Sequence, residues 1–498
     1  METMGIKIAF LVVYIAMTVI IGVVSMKKVT GVNSFLLGGR NMGAWLSAFA
    51  YSTSYFSAVL FIGYAGKSGW GFGLPAVWIG VGNAVLGALA AWLLLAKPTR
   101  VMTHRLGVKT MPEFFGVRYG SDAMKIVSAC IVFLFLIPYS ASVYAGLSYL
   151  FESVLHIPYI YCMIFIAVLT ALYLTMGGYI ATALTDFIQG IIMLAGMAIM
   201  VIAIVSQPQV GGFTKVVENL RAVDPSLVSL FGGKNWFALL SLVVLTSIGT
   251  WALPQMVHKF YAIKDTQSIK KATAVSTVFC LVISVGAYFI GSLGRLFYTT
   301  EEFKTVLNGN FDLIIPNILS TSLSTVVISI IMLLVLSASM STLASIVLTS
   351  SSAITIDLVG GYLAKDMSKK RQMLLMRSLC VVFVALSFVI AYKPTGILLL
   401  MSFSWGALAS AFMGPFIYGL FWKGTTKAGA FAGMLAGLGT LLALMFYFHF
   451  DGGVSPQCGL VGMVVSMAVT PAVSLFTKKL PETHVEQVFT AETEGEAK

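Results

Sequence analysis

Apolar runs long enough to cross a bilayer recur from one end of this chain to the other. A helix rises 1.5 Å per residue, so about 20 mainly apolar residues span the hydrocarbon core. Windows of that size fall near 6–26, 43–66, 73–96, 123–151, 157–175, 181–206, 235–258, 272–294, 313–351, 375–392, 396–421, 428–448 and 456–476. Only 10% of the 498 residues are charged, against roughly a quarter in a soluble domain. Too few charges remain to cover a large soluble surface. The chain reads as one all-α polytopic membrane domain over 1–476, followed by a polar cytoplasmic tail at 477–498 that is expected to be disordered. A soluble enzyme, a nucleic-acid binder and a disulfide scaffold are excluded.

The ninth window is longer than a bilayer requires, so it is expected to begin as a surface helix or to run past the membrane. The first could pass for a signal peptide. Its apolar run is longer than a usual signal core, no small-residue cleavage site follows, and Lys27 and Lys28 come after it, so it reads as a retained span. Thirteen spans put the two ends on opposite sides. The segments around Lys27–Arg40, Lys97–Lys125, Lys259–Lys271, Lys365–Arg377, Lys423–Lys427 and the tail hold about 23 of the 31 Lys and Arg. Lys and Arg gather on the cytoplasmic side, which predicts the N-terminus outside and the C-terminus inside. The same bias accounts for the net charge of +12 without an acidic partner.

Two spans look interrupted. The second carries Tyr51-Ser52-Thr53-Ser54-Tyr55-Phe56-Ser57 and then Gly63 and Gly66. The seventh carries Thr246, Ser247, Gly249 and Thr250, and then Pro254. Proline removes a helix hydrogen bond and glycine lowers the cost of unwinding. Breaks five spans apart predict a repeat of five helices, spans 2–6 and 7–11. An odd repeat length inverts the second copy, the construction of transporters whose site lies at the paired breaks.

Few residues offer chemistry. Asp186 is the carboxylate well inside an apolar span, where such a residue faces protein or a water-filled path; a helix-end group near the cytoplasmic surface is the other reading. Ala338, Ser341, Thr342 and Ser345 fall on one face of the ninth span. The stripe suits close helix packing or, with backbone carbonyls freed in span 2, a hard oxygen-liking cation such as sodium. Gly429, Gly433 and Gly437 form a small-residue packing ridge. Gly66-Lys67-Ser68 lacks the earlier glycine of a P-loop, since Phe61 stands there. Cys130, Cys162, Cys280, Cys380 and Cys458 show no metal-ligand spacing and read as single buried thiols.

Several stretches together resemble the sodium:solute symporter family, the group of proline permease, pantothenate permease and the sodium/glucose transporters. They are Phe35-Leu36-Leu37-Gly38-Gly39-Arg40, Gly177-Gly178 through Asp186 to Gln189, Ala338 through Ser345 to Asp357-Leu358, and Trp405-Gly406-Ala407 through Gly414-Pro415 to Trp422. The resemblance covers nearly the whole chain. It implies thirteen helices, a leucine-transporter-like inverted repeat and sodium-driven uptake without an organic cofactor. It places sodium on the carbonyls of Thr53 and Phe56 and on Ala338, Ser341 and Thr342, and puts Asp186 near the inner end of the sodium path. Solute contacts would fall on Ser57, Val59, Tyr139, Thr246 and Thr250. Proline permease has an acid where this chain has Tyr55, and it is richer in aromatics around the solute. Leu253-Pro254, Asp224-Pro225 and Tyr392-Lys393-Pro394 look more like pantothenate permease.

The expected activity is therefore sodium-coupled import of a small carboxylate such as pantothenate, with proline or another amino acid as the alternative. The expected partners are the solute, Na+ and lipid, with no nucleic acid, and the transporter is expected to work as a monomer. A channel would want a filter or charged ring, and none stands out. An embedded enzyme would want a metal cluster or a nucleophile with its base, and none is patterned.

Overall fold

The computed structural model describes residues 2–26, 32–364, 367–393 and 396–489, with the side chains of 2, 3, 25, 26, 32, 33 and 173–177 left aside. Lys27, Lys28, Pro394 and the last nine residues of the tail lie outside it.

Each of the thirteen apolar windows is helical. They are α1 (Glu2–Met26), α2 (Ala44–Tyr55 and Val59–Phe72), α3 (Leu74–Arg105), α4 (Asp122–Leu155), α5 (Tyr159–Leu172), α6 (Gly178–Val205), α7 (Trp236–Ser247 and Pro254–Ala262), α8 (Thr266–Phe297), α9 (Thr325–Leu363), α10 (Lys369–Ala391), α11 (Ile397–Phe421), α12 (Lys427–Tyr447) and α13 (Ser455–Phe476). Eleven are long and apolar enough to cross a membrane, and α2 makes a twelfth as a pair of half-helices bent by 46°. The thirteenth, α5, is shorter. It joins α6 at Gly178, whose φ of +54° breaks the helical path. A Cβ at Gly178 would lie 2.4 Å from the Phe35 ring and 2.7 Å from its carbonyl, so both the turn and the approach require glycine.

Both predicted interruptions are present. The first half of α2 ends at Phe56, which is extended at φ −119° and ψ 136°. The first half of α7 tightens into a 3₁₀ turn at Ile248–Ala252, and Leu253 turns extended before Pro254 starts the second half. They head two five-helix units, α2–α6 and α7–α11. At one end, Met42 N donates to Ala262 O at 3.2 Å and Lys264 N to Met42 O at 2.9 Å. This short parallel bridge ties the start of α2 to the end of α7. Arg100 reinforces it, donating to the carbonyls of Ile263 and Lys264. Helices α9 and α11 run through the interior, while α1, α10, α12 and α13 present long faces outward.

The structure corrects four boundary readings. The overlong ninth window splits at Leu323 into a short helix, Ile314–Ser322, and α9, which continues twelve residues past the expected end. That extension buries Asp357, which accepts from Thr110 Oγ1 at 2.6 Å and pairs with Lys125 at 3.6 Å. Asp312 is buried too, capping the Ile397 N–H at 3.0 Å; burial pushes its carboxyl up to about 6. Asp186 is thus one of three buried acids among the described residues rather than alone. The tail is not wholly irregular: α14 (Glu482–Phe489) packs back on the loops, with Arg105 donating to Val488 O at 2.8 Å and the Arg118 guanidinium 4.9 Å over the Phe489 ring. Finally, Lys259 lies inside the second half of α7 rather than in a loop.

The glycine ridge of α12 packs as expected, with Gly429 and Gly433 against Ser474 and Thr470 of α13 and Gly437 against Ser410 O of α11. A second tight seam joins the two repeats. A Cβ at Gly69 would sit 2.0 Å from Gly291 C, and one at Gly291 would sit 2.0 Å from Ala65 O. Backbone meets backbone between α2 and α8, so even a methyl group must push the helices apart. Gly291→Ala should cost about 1–3 kcal/mol by overpacking, and Gly291→Val more. Thermal unfolding of the purified protein in detergent checks this, with Gly439→Ala, where a Cβ meets open space, as the control.

Candidate functional site

The break in α2 strips partners from its last carbonyls, and in an apolar interior each must be satisfied by protein. Helix α9 supplies the donors. Ser341 Oγ lies 3.0 Å from Thr53 O and 2.9 Å from Ala338 O. Thr342 Oγ1 lies 3.0 Å from Phe56 O and 3.4 Å from both Thr53 O and Ser54 O. On the other side of the gap, Ala58 N donates to Ser339 Oγ at 3.0 Å. The five residues assigned to sodium from the sequence therefore meet at one point, all buried. Three carbonyls and two hydroxyls converge there with no nitrogen or sulfur among them, which is the donor set a hard monovalent cation prefers.

The five residues assigned to the solute divide between the two breaks. Ser57 and Val59 sit at the α2 break, where Val59 N donates to Ser57 Oγ at 3.3 Å. Tyr139 of α4 approaches from the side, its ring edge-on to Trp405 of α11 with centroids 5.5 Å apart. Thr246 and Thr250 lie at the α7 break. The Thr246 hydroxyl is 2.8 Å from both the Asn83 side-chain amide and Leu242 O, and the Thr250 hydroxyl donates to Ser247 O at 2.6 Å. The two threonines are thus held by their own helix and by α3, whereas the Tyr139 hydroxyl is buried with no partner among the described residues.

Tyr55 joins the two groups. Its hydroxyl donates to Thr246 O at 2.5 Å, and its ring stacks flat on Phe56 at 4.6 Å and lies 6.1 Å from Trp405. A Cβ at Gly87 would collide with the Tyr55 hydroxyl, so α3 makes room for this ring. The position that holds an acid in proline permease is here a neutral strut between the broken helices.

Sequence reasoning left out three residues that border this region. Trp405 was quoted only as part of a motif, yet its indole N–H is buried without a partner. Gln255, directly after the α7 break, has both amide atoms buried and unpartnered. A buried glutamine one residue past a helix-breaking proline was the available signal. Asn83 carried none, because its role depends on α3 packing against α7.

Asp186 lies two turns into α6, 1% exposed, and neither carboxylate oxygen has a hydrogen-bond partner among the described residues. Nearby, Gln189 Nε2 donates to Tyr14 Oη of α1 at 2.7 Å. Asp186 is thus buried within the protein, two turns from the start of α6.

Residues 35–437 match the sodium:solute symporter family. The osmoregulated proline transporter OpuE of Bacillus subtilis strain 168 is 28% identical over 477 residues, covering 94% of both chains. A sodium/proline symporter of Staphylococcus aureus strain RF122 / ET3-1 is 29% identical over 479 residues, covering 94% of this chain and 92% of its own. Among solved structures, a Na+-coupled sialic acid symporter in a substrate-bound outward-open state superposes with a TM-score of 0.80 at 17% identity, over 96% of this chain and 99% of that one. Mhp1, a nucleobase-cation-symport-1 family transporter, gives 0.51 at 13% identity in a closed conformation, over 91% and 97%. These two share the fold.

One expected outcome tests the strut. Tyr55→Phe removes one buried hydrogen bond to Thr246 O, a loss of about 0.5–1.5 kcal/mol. Unfolding in detergent should reflect that loss, and Tyr55→Phe should be less stable than Tyr392→Phe, a change on an exposed ring. A sodium-coupled transporter rather than an enzyme, with eleven or twelve apolar spans among the described residues folded as an inverted repeat around two broken helices, the chain belongs to the sodium:solute symporter family.

Proposed function

We propose that this chain imports proline, or a close zwitterionic analogue, together with sodium. The observation that carries this reading is an aromatic enclosure beside the cation-suited oxygens: Tyr55, Phe56 and Trp405, closed at the side by Tyr139. An apolar ring packs against such walls, and the unpartnered Tyr139 Oη, Trp405 Nε1 and Gln255 amide can bind a carboxylate and an ammonium. The sequence suggested too few aromatics for proline, because Trp405 reaches this region from α11, far along the chain. The two full-length relatives named above are proline transporters. Pantothenate, favoured by short stretches around Leu253-Pro254, draws no support from them.

In this reading sodium occupies the Thr53, Phe56, Ala338, Ser341 and Thr342 oxygens, and the solute lies among Ser57, Val59, Tyr139, Thr246 and Thr250. Asp186 lies on the release path. The N-terminus faces outside, as the Lys and Arg distribution favours, and one protomer suffices for transport. One sodium with a zwitterion carries net positive charge inward, so the membrane potential contributes about 2.3 kcal/mol per 100 mV.

The direct test is uptake of labelled proline into proteoliposomes. It should need outside sodium, rise with an inside-negative potential, and be displaced by proline analogues but not by pantothenate. Uptake of pantothenate instead, or indifference to the potential, overturns the reading. The ion site has its own test: Thr342→Ala removes a ligand, and should raise the sodium needed for half-maximal uptake by about tenfold or more.

A further inference from the structure

Lys259 is a buried cation with no role so far. It sits in the second half of α7, 2% exposed, where an ammonium is costly unless an anion is close. Among the described residues the one ion pair within 4.0 Å is Lys125 with Asp357, so Lys259 is not locked to a carboxylate. Its contact is with the face of Tyr179, 5.0 Å from its ammonium. Tyr179 opens α6 two turns before Asp186, on the same face of that helix. The two Asp186 oxygens accept no hydrogen bond from any described residue. A buried lysine and a buried aspartate on different helices thus lie along one face of α6, with no ion pair between them within 4.0 Å.

The surroundings connect these two residues to the sodium-suited oxygens. Tyr14, which accepts from Gln189 one turn after Asp186, sits on α1, and α1 packs against both α6 and α9. Ser337 is one turn before Ser341 on α9, and its hydroxyl is unpartnered among the described residues. Lys259 itself rides on the half-helix that follows the Leu253 break, so bending at that break carries the ammonium with it.

We propose that Lys259 is a tethered substitute for sodium at Asp186. When the ion leaves the Ser341 and Thr342 hydroxyls it is drawn to the Asp186 carboxylate; when it departs, the Lys259 ammonium takes its place. One carboxylate cannot hold two monovalent cations equally well, so the ammonium displaces the ion and then denies the carboxylate to sodium returning from inside. Lys259 is a positioning residue, acting on the ion through Asp186. The inference rests on the reading of Asp186 as part of the sodium path, but not on the identity of the solute.

A solute-free measurement tests it. Purified protein is heated in rising NaCl, with KCl holding ionic strength constant, and the sodium concentration giving half of the stabilisation is read. Lys259→Gln removes the competitor, so this midpoint should fall on the order of tenfold. Lys259→Arg should keep the wild-type midpoint. In the Asp186→Asn background, adding Lys259→Gln should leave the midpoint where Asp186→Asn alone puts it. A lower unfolding temperature in Lys259→Gln with an unmoved midpoint would make Lys259 a structural residue and overturn the proposal, as would an equal shift with and without Asp186. If Lys259→Gln does not fold, Lys259→Met in the Asp186→Asn background should fold, since no bare carboxylate remains; failure there too would overturn the pairing. Proline uptake that fails while the midpoint shifts as stated would reject the proline reading and leave this one standing.

Discussion

A helix broken in the middle of a membrane leaves backbone groups that lipid cannot satisfy, and the architecture of this protein is organised around satisfying them. At the α2 break the debt falls on α9. Ser339 accepts from Ala58 N, and Ser341 and Thr342 reach the carbonyls of Thr53, Ser54 and Phe56. The buried row of serines from 337 to 345 in α9 follows from this need. Oxygens gathered to mend a broken helix are at the same time oxygens gathered in the geometry of a cation ligand set, so structure and ion chemistry draw on the same atoms.

The α7 break is handled differently. Its hydroxyls turn back on their own helix and on Asn83, and its link to α2 runs through the Tyr55 hydroxyl. The region between the breaks therefore has settled hydrogen bonds at Thr246 and Thr250, whereas the buried polar atoms of Tyr139 and Trp405 have no partners among the described residues. Buried polar groups left over in this way are where a polar ligand gains most.

How much of this was legible in the sequence depended on range. The spans were legible because length and apolarity are local. The breaks were legible because Pro254 and the run of small and hydroxylated residues at 51–57 act on their own helices. Ser341 and Thr342 were legible as a face, but that they meet Thr53 and Phe56 came from the family resemblance, since no local signal pairs residues nearly 300 apart. What could not be read depends on contacts between distant segments. Lys259 looked like a loop charge because hydropathy windows end where charge begins. Asp357 was legible only as part of a motif, because the ninth window stops short of it, and α14 docks through Arg118 and Arg105, whose partners lie hundreds of residues away.

The seam between α2 and α8 has a consequence for motion. Side chains can slide over one another by changing rotamer, but two backbones in direct contact at Gly69 and Gly291 have nothing between them to rearrange. The second half of α2 and the facing part of α8, which belong to opposite repeats, are thereby held together as one body. Whatever tilts the first half of the molecule must carry part of the second with it. Freedom to bend is then left to the extended residues Phe56 and Leu253, where the two broken helices change direction.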